Sequence, residues 1–363
     1  MVAFLQKPDM IPVAVHRSRE FQSNDIVDGR YRIVRKIAEG GMGTVFLAEH
    51  MLIKRRVAIK VLHAELAADR EMIHRFLNEA SAAGTLGHPH IVESTDMGFT
   101  PEGVPYIVFE YLEGCLLIEE IRRLGTLPVR RALLIVRQLA SALEAAHNAE
   151  IAHLDLKSEN VFLIDRDNVL DHAKLFDFGI SRFMAAESET TQSGILMGTP
   201  EFMAPEQVTS PDTVDGRADI YALGVLLYEM VTGRCPFVSD DPRWVLYQVI
   251  HERPPPLERP VPLAFESLLF DGLLVKSREQ RLQTMGEVIT ILDALIAETP
   301  SGVPDALDTF DESETENASA ISPVWAVESW FDNAPTQLDS PGDRPSHVVI
   351  RPRPSAPGSR PTR

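Results

Sequence analysis

Cysteine is scarce in this 363-residue chain. Cys115 and Cys235 are its only two, too few for a disulfide framework or for a four-ligand zinc site of cysteines alone. Long apolar runs are also missing. The best, Ile220 to Met230, is short and contains Glu229, whereas a membrane-spanning helix needs about 20 mainly apolar residues. The first residues are interrupted by Lys7, Pro8, Asp9 and Pro12, so they lack the apolar core of a signal peptide. Positive charge is in deficit: 35 Lys and Arg stand against 53 Asp and Glu, a net charge of −18. A broad nucleic-acid-binding surface is disfavoured, because neutralising phosphates needs clustered positive charge. These absences lead to the expectation of a reduced, cytoplasmic setting, with no nucleic-acid partner and no membrane span.

What is present suits a large globular core. Hydrophobic residues are 44 % and charged residues 24 % of the chain, ordinary values for a globular protein. Residues 1–28 show no sustained periodicity and read as an arm. Tyr31, Ile33, Arg35 and Ile37 then alternate as a strand does. Thr44 to Ala48, Arg56 to Val61 and Tyr106 to Glu110 are further strand candidates. Ala67 to Ala83 reads as a helix, so a small strand-rich lobe with one helix is expected over about 29–112. After Gly114 the pattern turns helical. Leu133, Leu134, Val136, Leu139, Leu143 and Ala146 recur at helical spacing. Ile220 to Met230 is apolar nearly all round, as in a buried helix, and Val288 to Ile296 forms a last amphipathic helix. This second lobe is expected over about 113–298.

Residues 299–363 differ in composition. They hold ten of the 26 prolines, with eight acidic residues and no Lys or Arg between Asp305 and Asp332. Five arginines and no acid follow from Arg344 to Arg363. Such a stretch buries too little apolar surface to offset its ordering entropy, so a disordered tail is expected.

Four motifs carry chemistry. Ala38-Glu39-Gly40-Gly41-Met42-Gly43-Thr44-Val45 lies between two strand candidates. Its glycines let backbone N–H groups approach phosphate oxygens with no Cβ in the way. Because a strand and not a helix follows, a dinucleotide fingerprint is disfavoured. Val57-Ala58-Ile59-Lys60 places a lysine in an apolar strand, where it needs an anion, and Glu79 on the expected helix offers a carboxylate. His153-Leu154-Asp155-Leu156-Lys157-Ser158-Glu159-Asn160 packs an acid, a base and an amide into a short span. Asp177-Phe178-Gly179 puts a carboxylate beside a flexible glycine, suited to magnesium. Each alone has a plainer reading as a turn, a solvated face or a snorkelling lysine.

Together, in this order, they match the protein-kinase signature. Ala204-Pro205-Glu206 completes it, and Asp219 and Arg281 add further matches. The chain resembles the eukaryotic-like (Hanks-type) serine/threonine protein kinases over residues 29–298. Gly40-Gly41-Met42-Gly43 and His88-Pro89-His90-Ile91-Val92 look most like the bacterial branch. The resemblance implies an α+β bilobal fold with ATP between the lobes. It implies that Lys60 holds the α- and β-phosphates and pairs with Glu79. Asn160 and Asp177 would hold Mg²⁺, with Mn²⁺ as an alternative metal, and Asp155 would accept the substrate hydroxyl proton. Lys157 and Thr199 favour Ser/Thr over Tyr as acceptor. The nucleotide would lie against Ala38, Gly40, Gly41, Gly43, Val45, Ala58 and Phe162. Backbone of Glu110 and Leu112 would meet the adenine, with Phe109 as the gatekeeper.

Two departures stand out. Ala38 replaces the first family glycine, and Leu154 replaces the Arg of His-Arg-Asp. In the family that Arg receives an activation-loop phosphate, so its loss implies weak dependence on one, with Lys174 and Arg182 as other candidate phosphate ligands. Ser188, Thr190, Thr191 and Ser193 are expected autophosphorylation sites. The aromatics around Trp325 and Trp330 are a candidate docking motif for a partner. The alternative reading is a pseudokinase scaffold or interaction module, which binds nucleotide and partners without transferring phosphate.

Overall fold

The computed structural model describes residues 21–166, 169–178 and 199–299. Its first part is a six-stranded antiparallel sheet. The strands are β1 (Ile26–Val27), β2 (Tyr31–Glu39), β3 (Gly43–His50), β4 (Arg56–Leu62), β5 (Ser94–Phe99) and β6 (Pro105–Glu110), in the order β1-β2-β3-β4-β6-β5. The sheet therefore begins just ahead of the boundary expected at residue 29. The strands read from alternation are all present. β3 and β4 are buried along most of their length, and their apolar side chains share one core with residues of α1 (Arg70–Leu86) and with Leu116, Phe162 and Phe176.

Helix α1 starts later than expected. Leu66–Ala68 forms a separate 3-10 turn that ends on Asp69 in an extended conformation. That residue breaks the helical path, and Ile73 N–H then bonds back to the Asp69 carbonyl. Ile73, Phe76, Leu77 and Ala80 pack α1 into the core of the sheet.

The second lobe is mainly helical. A short strand β7 (Gly114–Leu116) leads into α2 (Leu117–Leu124) and α3 (Val129–Asn148). β7 pairs with β8 (Val161–Arg166), which pairs with β9 (Val169–Leu175). Then come α4 (Pro205–Thr209), α5 (Arg217–Thr232), α6 (Pro242–His251) and α7 (Met285–Glu298). From Ala218 to Val231 every residue of α5 is buried, so α5 is the axis of the lobe, as its all-round apolarity requires. The end of α7 coincides with the boundary read near Glu298, and Arg130 Nε donates to the Thr299 carbonyl at 3.0 Å.

Two ties join the lobes behind the cleft. The Val92 N–H donates to the Leu175 carbonyl, and the Leu175 N–H to the His90 carbonyl, both at 2.9 Å. Lys174, buried on β9, donates to Glu110 Oε1 at 2.6 Å and to the Ile91 carbonyl at 3.2 Å. No helix among the described residues is long and apolar enough to cross a membrane.

Candidate active site

The β2–β3 hairpin forms one wall of the cleft. The Gly40 N–H donates to the Gly43 carbonyl at 2.9 Å and closes its tip. Gly43 has to be glycine: a Cβ there lies 2.2 Å from the Val61 carbonyl oxygen, which is backbone and cannot swing aside. Ala38 is buried opposite Val45 in the register of β2 and β3. It sits in strand, where no positive φ is needed, so alanine fits.

Behind the hairpin lies an apolar cluster drawn from both lobes. Val45 and Ala58 come from the sheet, and Phe162 comes from β8 in the other lobe. All three are buried and belong to one apolar cluster with Leu116 and Phe176. Phe109 pairs across from Ala58 at the back edge. Glu110 and Leu112 carry the connection between the lobes. Glu110 spends its side chain on Lys174 and on the Glu93 N–H. The backbone N–H and C=O of Leu112 find no hydrogen-bond partner among the described residues. A buried edge with an unmatched donor and acceptor suits a flat heterocycle.

Lys60 lies on β4 and is 3 % exposed. Its Nζ sits 3.1 Å from Asp177 Oδ1, so this buried cation has a carboxylate supplied by the other lobe. Glu79 is on α1, on the segment that packs against the sheet.

The catalytic loop is built around Asp155. Lys157 Nζ stands 3.2 Å from Asp155 Oδ2 and donates to Thr199 Oγ1 at 3.3 Å. Asn160 Nδ2 donates to the Asp155 carbonyl at 2.8 Å and to its Oδ2 at 3.2 Å. Both amide hydrogens of Asn160 are thereby used, which leaves its Oδ1 for another partner. Asp155, Lys157, Asn160 and Thr199 are one connected cluster.

Asp219, already marked in the sequence, and His147 and Gln207, which are not, hold that loop in place. Asp219 is fully buried on α5. Its carboxylate accepts from the His153 N–H at 2.8 Å, the Leu154 N–H at 2.7 Å and the His147 ring at 2.8 Å. A carboxylate in an otherwise apolar helix is the sequence signal for it. His147 had none, being one polar residue near the end of α3. Gln207 Nε2 holds the Leu154 carbonyl at 3.0 Å. Leu154 sits at φ 62° and Asp177 at φ 59°, a conformation that costs bulky residues of order 1–3 kcal/mol and persists where neighbours over-determine it. The His153 ring meets the Asp155 N–H through Nδ1 at 3.3 Å and the Phe176 carbonyl through Nε2 at 3.0 Å. A hydrogen on Nε2, with Nδ1 as acceptor, matches both contacts. Phe178 packs edge-on against this ring at 4.8 Å.

Below the loop, α5 also carries Glu229, which burial pushes up to about 7 against the opposing bond from Ser158. Its Oε2 has no partner among the described residues. Burial likewise holds His90, between the lobes, down at about 4, with electrostatic contributions from His172, His88 and Lys174 adding to the effect and its bond to the Ala173 carbonyl opposing it.

The structure removes one expectation. Lys174 is not available to a loop phosphate, because it is buried and engaged with Glu110 and the Ile91 carbonyl. Arg182, Ser188, Thr190, Thr191, Ser193, Trp325 and Trp330 lie outside the described residues, as does Gly179.

Residues 31–290 match the protein kinase domain model. The chain belongs to the protein kinase family. Serine/threonine-protein kinases of bacteria are among its curated relatives. Pkn1 of Myxococcus xanthus is 41 % identical over 276 residues, covering 74 % of this chain and 39 % of Pkn1. Pkn2 of the same organism is 39 % identical over 290 residues, covering 77 % of this chain and 34 % of Pkn2. PknB of Mycobacterium leprae is 36 % identical over 290 residues, covering 78 % of this chain and 46 % of PknB. The chain thus spans less than half the length of these relatives. The matched region is this chain's two lobes, and the bilobal protein-kinase fold is the one the motifs implied.

Proposed function

We propose that this chain is an ATP-dependent serine/threonine protein kinase that transfers the γ-phosphoryl group to protein hydroxyls. The observation that carries the reading is the Asp155–Lys157–Thr199–Asn160 cluster, tied to the segment of the Lys60–Asp177 pair where the Phe176 N–H donates to the Asn160 carbonyl at 3.2 Å. Each group has the type and setting the reaction needs.

The apolar cluster around Val45, Ala58 and Phe162 would take adenine, with Glu110 and Leu112 backbone at its edge and Phe109 behind. Gly40, Gly41 and Gly43 leave room for phosphates to reach backbone N–H groups. Lys60 would meet the α- and β-phosphates, and Glu79 on α1 would orient it. The spare oxygen of Asn160 and the Asp177 carboxylate are hard ligands of the type magnesium takes. That ion, when bound, supplies charge neutralisation between phosphate oxygens.

The chain's own residues then do three things. Asp155 holds the acceptor hydroxyl and takes its proton as the hydroxyl oxygen bonds to the γ-phosphorus and the bond from that phosphorus to the β-phosphate oxygen breaks, with ADP leaving. Lys157, already beside Asp155, faces the phosphoryl oxygens and offsets their charge. Thr199 fixes the Lys157 ammonium. The transition state is largely dissociative, so positioning and charge stabilisation carry most of the acceleration. ATP as co-substrate also places this domain in the cytoplasm, and proteins bearing Ser or Thr are its partners.

The pseudokinase reading has less support, since Lys60, Asp155, Asn160 and Asp177 are all present and connected. Incubation with γ-labelled ATP, Mg²⁺ and a basic test protein, followed by phosphoamino-acid analysis, decides between them. Label on Ser and Thr is expected. ATP binding with no label would establish the scaffold, and label on Tyr would overturn the acceptor assignment.

A further inference from the structure

The glycine-rich hairpin has few side chains with which to hold itself in place, so its position must be set through its backbone. Two carbonyls of the tip are tied to one residue. The His63 N–H donates to the Met42 carbonyl at 2.9 Å. The His63 ring Nε2 donates to the Gly40 carbonyl at 2.6 Å. His63 is itself anchored, because its carbonyl accepts from the N–H groups of Leu66 and Ala67, both at 3.0 Å. It directly follows β4, the strand that carries Lys60.

In a trans peptide the C=O and the following N–H point in opposite directions. Holding the Gly40 and Met42 carbonyls toward His63 therefore turns the Gly41 and Gly43 N–H groups the other way. We propose that His63 is a positioning residue for nucleotide binding: its imidazole clamps the Gly40 carbonyl and so presents the Gly41 N–H to the phosphates. The proposal rests on the ATP reading above. It assigns His63 no contact with the nucleotide and no part in proton transfer.

Two ligands separate this role from plain structural support. MgATP uses the hairpin, whereas adenosine occupies the adenine site and has no phosphates. Their affinities are measured by calorimetry on the full chain and on His63→Ala and His63→Gln. A single lost hydrogen bond to a backbone carbonyl corresponds to about a tenfold loss. His63→Ala is expected to weaken MgATP about tenfold and adenosine less than twofold, with KM for ATP rising more than kcat falls. His63→Gln keeps an N–H donor and is expected to recover most of the loss. Equal weakening of both ligands, or no change in either, would overturn the proposal. If the unsubstituted chain bound adenosine but gained nothing from the phosphates, the ATP reading itself would fall. A wild type that gains from the phosphates while His63→Ala loses nothing would sink the clamp alone.

Discussion

At the scale of single residues, two positions carry costs that a measurement can read. Gly43 faces the Val61 carbonyl so closely that any Cβ forces β3 and β4 apart. Gly43→Ala is expected to lower stability by about 1–3 kcal/mol, read by denaturant melts, and to weaken MgATP binding. Glu229 is the second. An unfolded glutamate loses its proton near the ordinary value, while the folded one holds it up to about 7. The folded state therefore binds more protons in that window, and Glu229's contribution to stability falls as pH rises through it. Glu229→Gln, which cannot ionise, is expected to gain stability over the wild type at pH 8 and to match it near pH 4.5. A gain of the same size at both values would exclude the buried carboxylate as the cause. These residue-level details are not legible in a sequence. The glycine motif announces a close backbone approach, but which oxygen it approaches follows from strand register. Likewise, Lys174 and Glu110 are distant in the chain and meet only because the lobes close on each other.

At the scale of elements, the loop from His153 to Asn160 is held by a helix packed beneath it. Asp219 on α5 carries three hydrogen bonds to the His147 ring and to the backbone of His153 and Leu154. Asp219→Ala leaves two N–H groups unmatched, the buried one of His153 and the half-buried one of Leu154, and a buried unmatched group costs about 1–3 kcal/mol. It also releases Leu154 from a strained conformation. Transfer is expected to fall at least a hundredfold while adenosine, bound by the apolar cluster, keeps its affinity. Comparable loss of both would mean collapse of the lobe instead. The main elements were readable because their apolar patterns are long. β2, α3 and α7 show alternation or helical recurrence, and β3, β4, β6 and α5 stand out as continuous apolar runs. β1 and β7 are too short to show a period, and β5 is a half-exposed edge strand with Ser94, Thr95 and Asp96 at its start. The late start of α1 escaped notice because Leu66 to Ala68 continues the helical composition, and only the extended Asp69 separates the two.

At the scale of the molecule, the cleft and its supports come from residues on both lobes, ending with α7. Removing residues 300–363 is therefore expected to leave transfer to a basic test protein within about twofold of the full chain. A loss of tenfold or more would make the tail part of the working enzyme. The site was legible at this scale because its motifs occur in one order along the chain. The loop supports Gln207 and His147 were not, since nothing in their spacing marks them. The central claim is that Asp155 acts on the acceptor hydroxyl at a cleft that binds ATP. Its most direct test is the single-turnover rate from γ-labelled MgATP for the wild type and Asp155→Asn, with MgADP affinity measured on both. The account predicts a rate loss of at least a thousandfold with affinity within about threefold. A wild type that binds MgADP but transfers nothing, or an Asp155→Asn that transfers as fast as wild type, would contradict it.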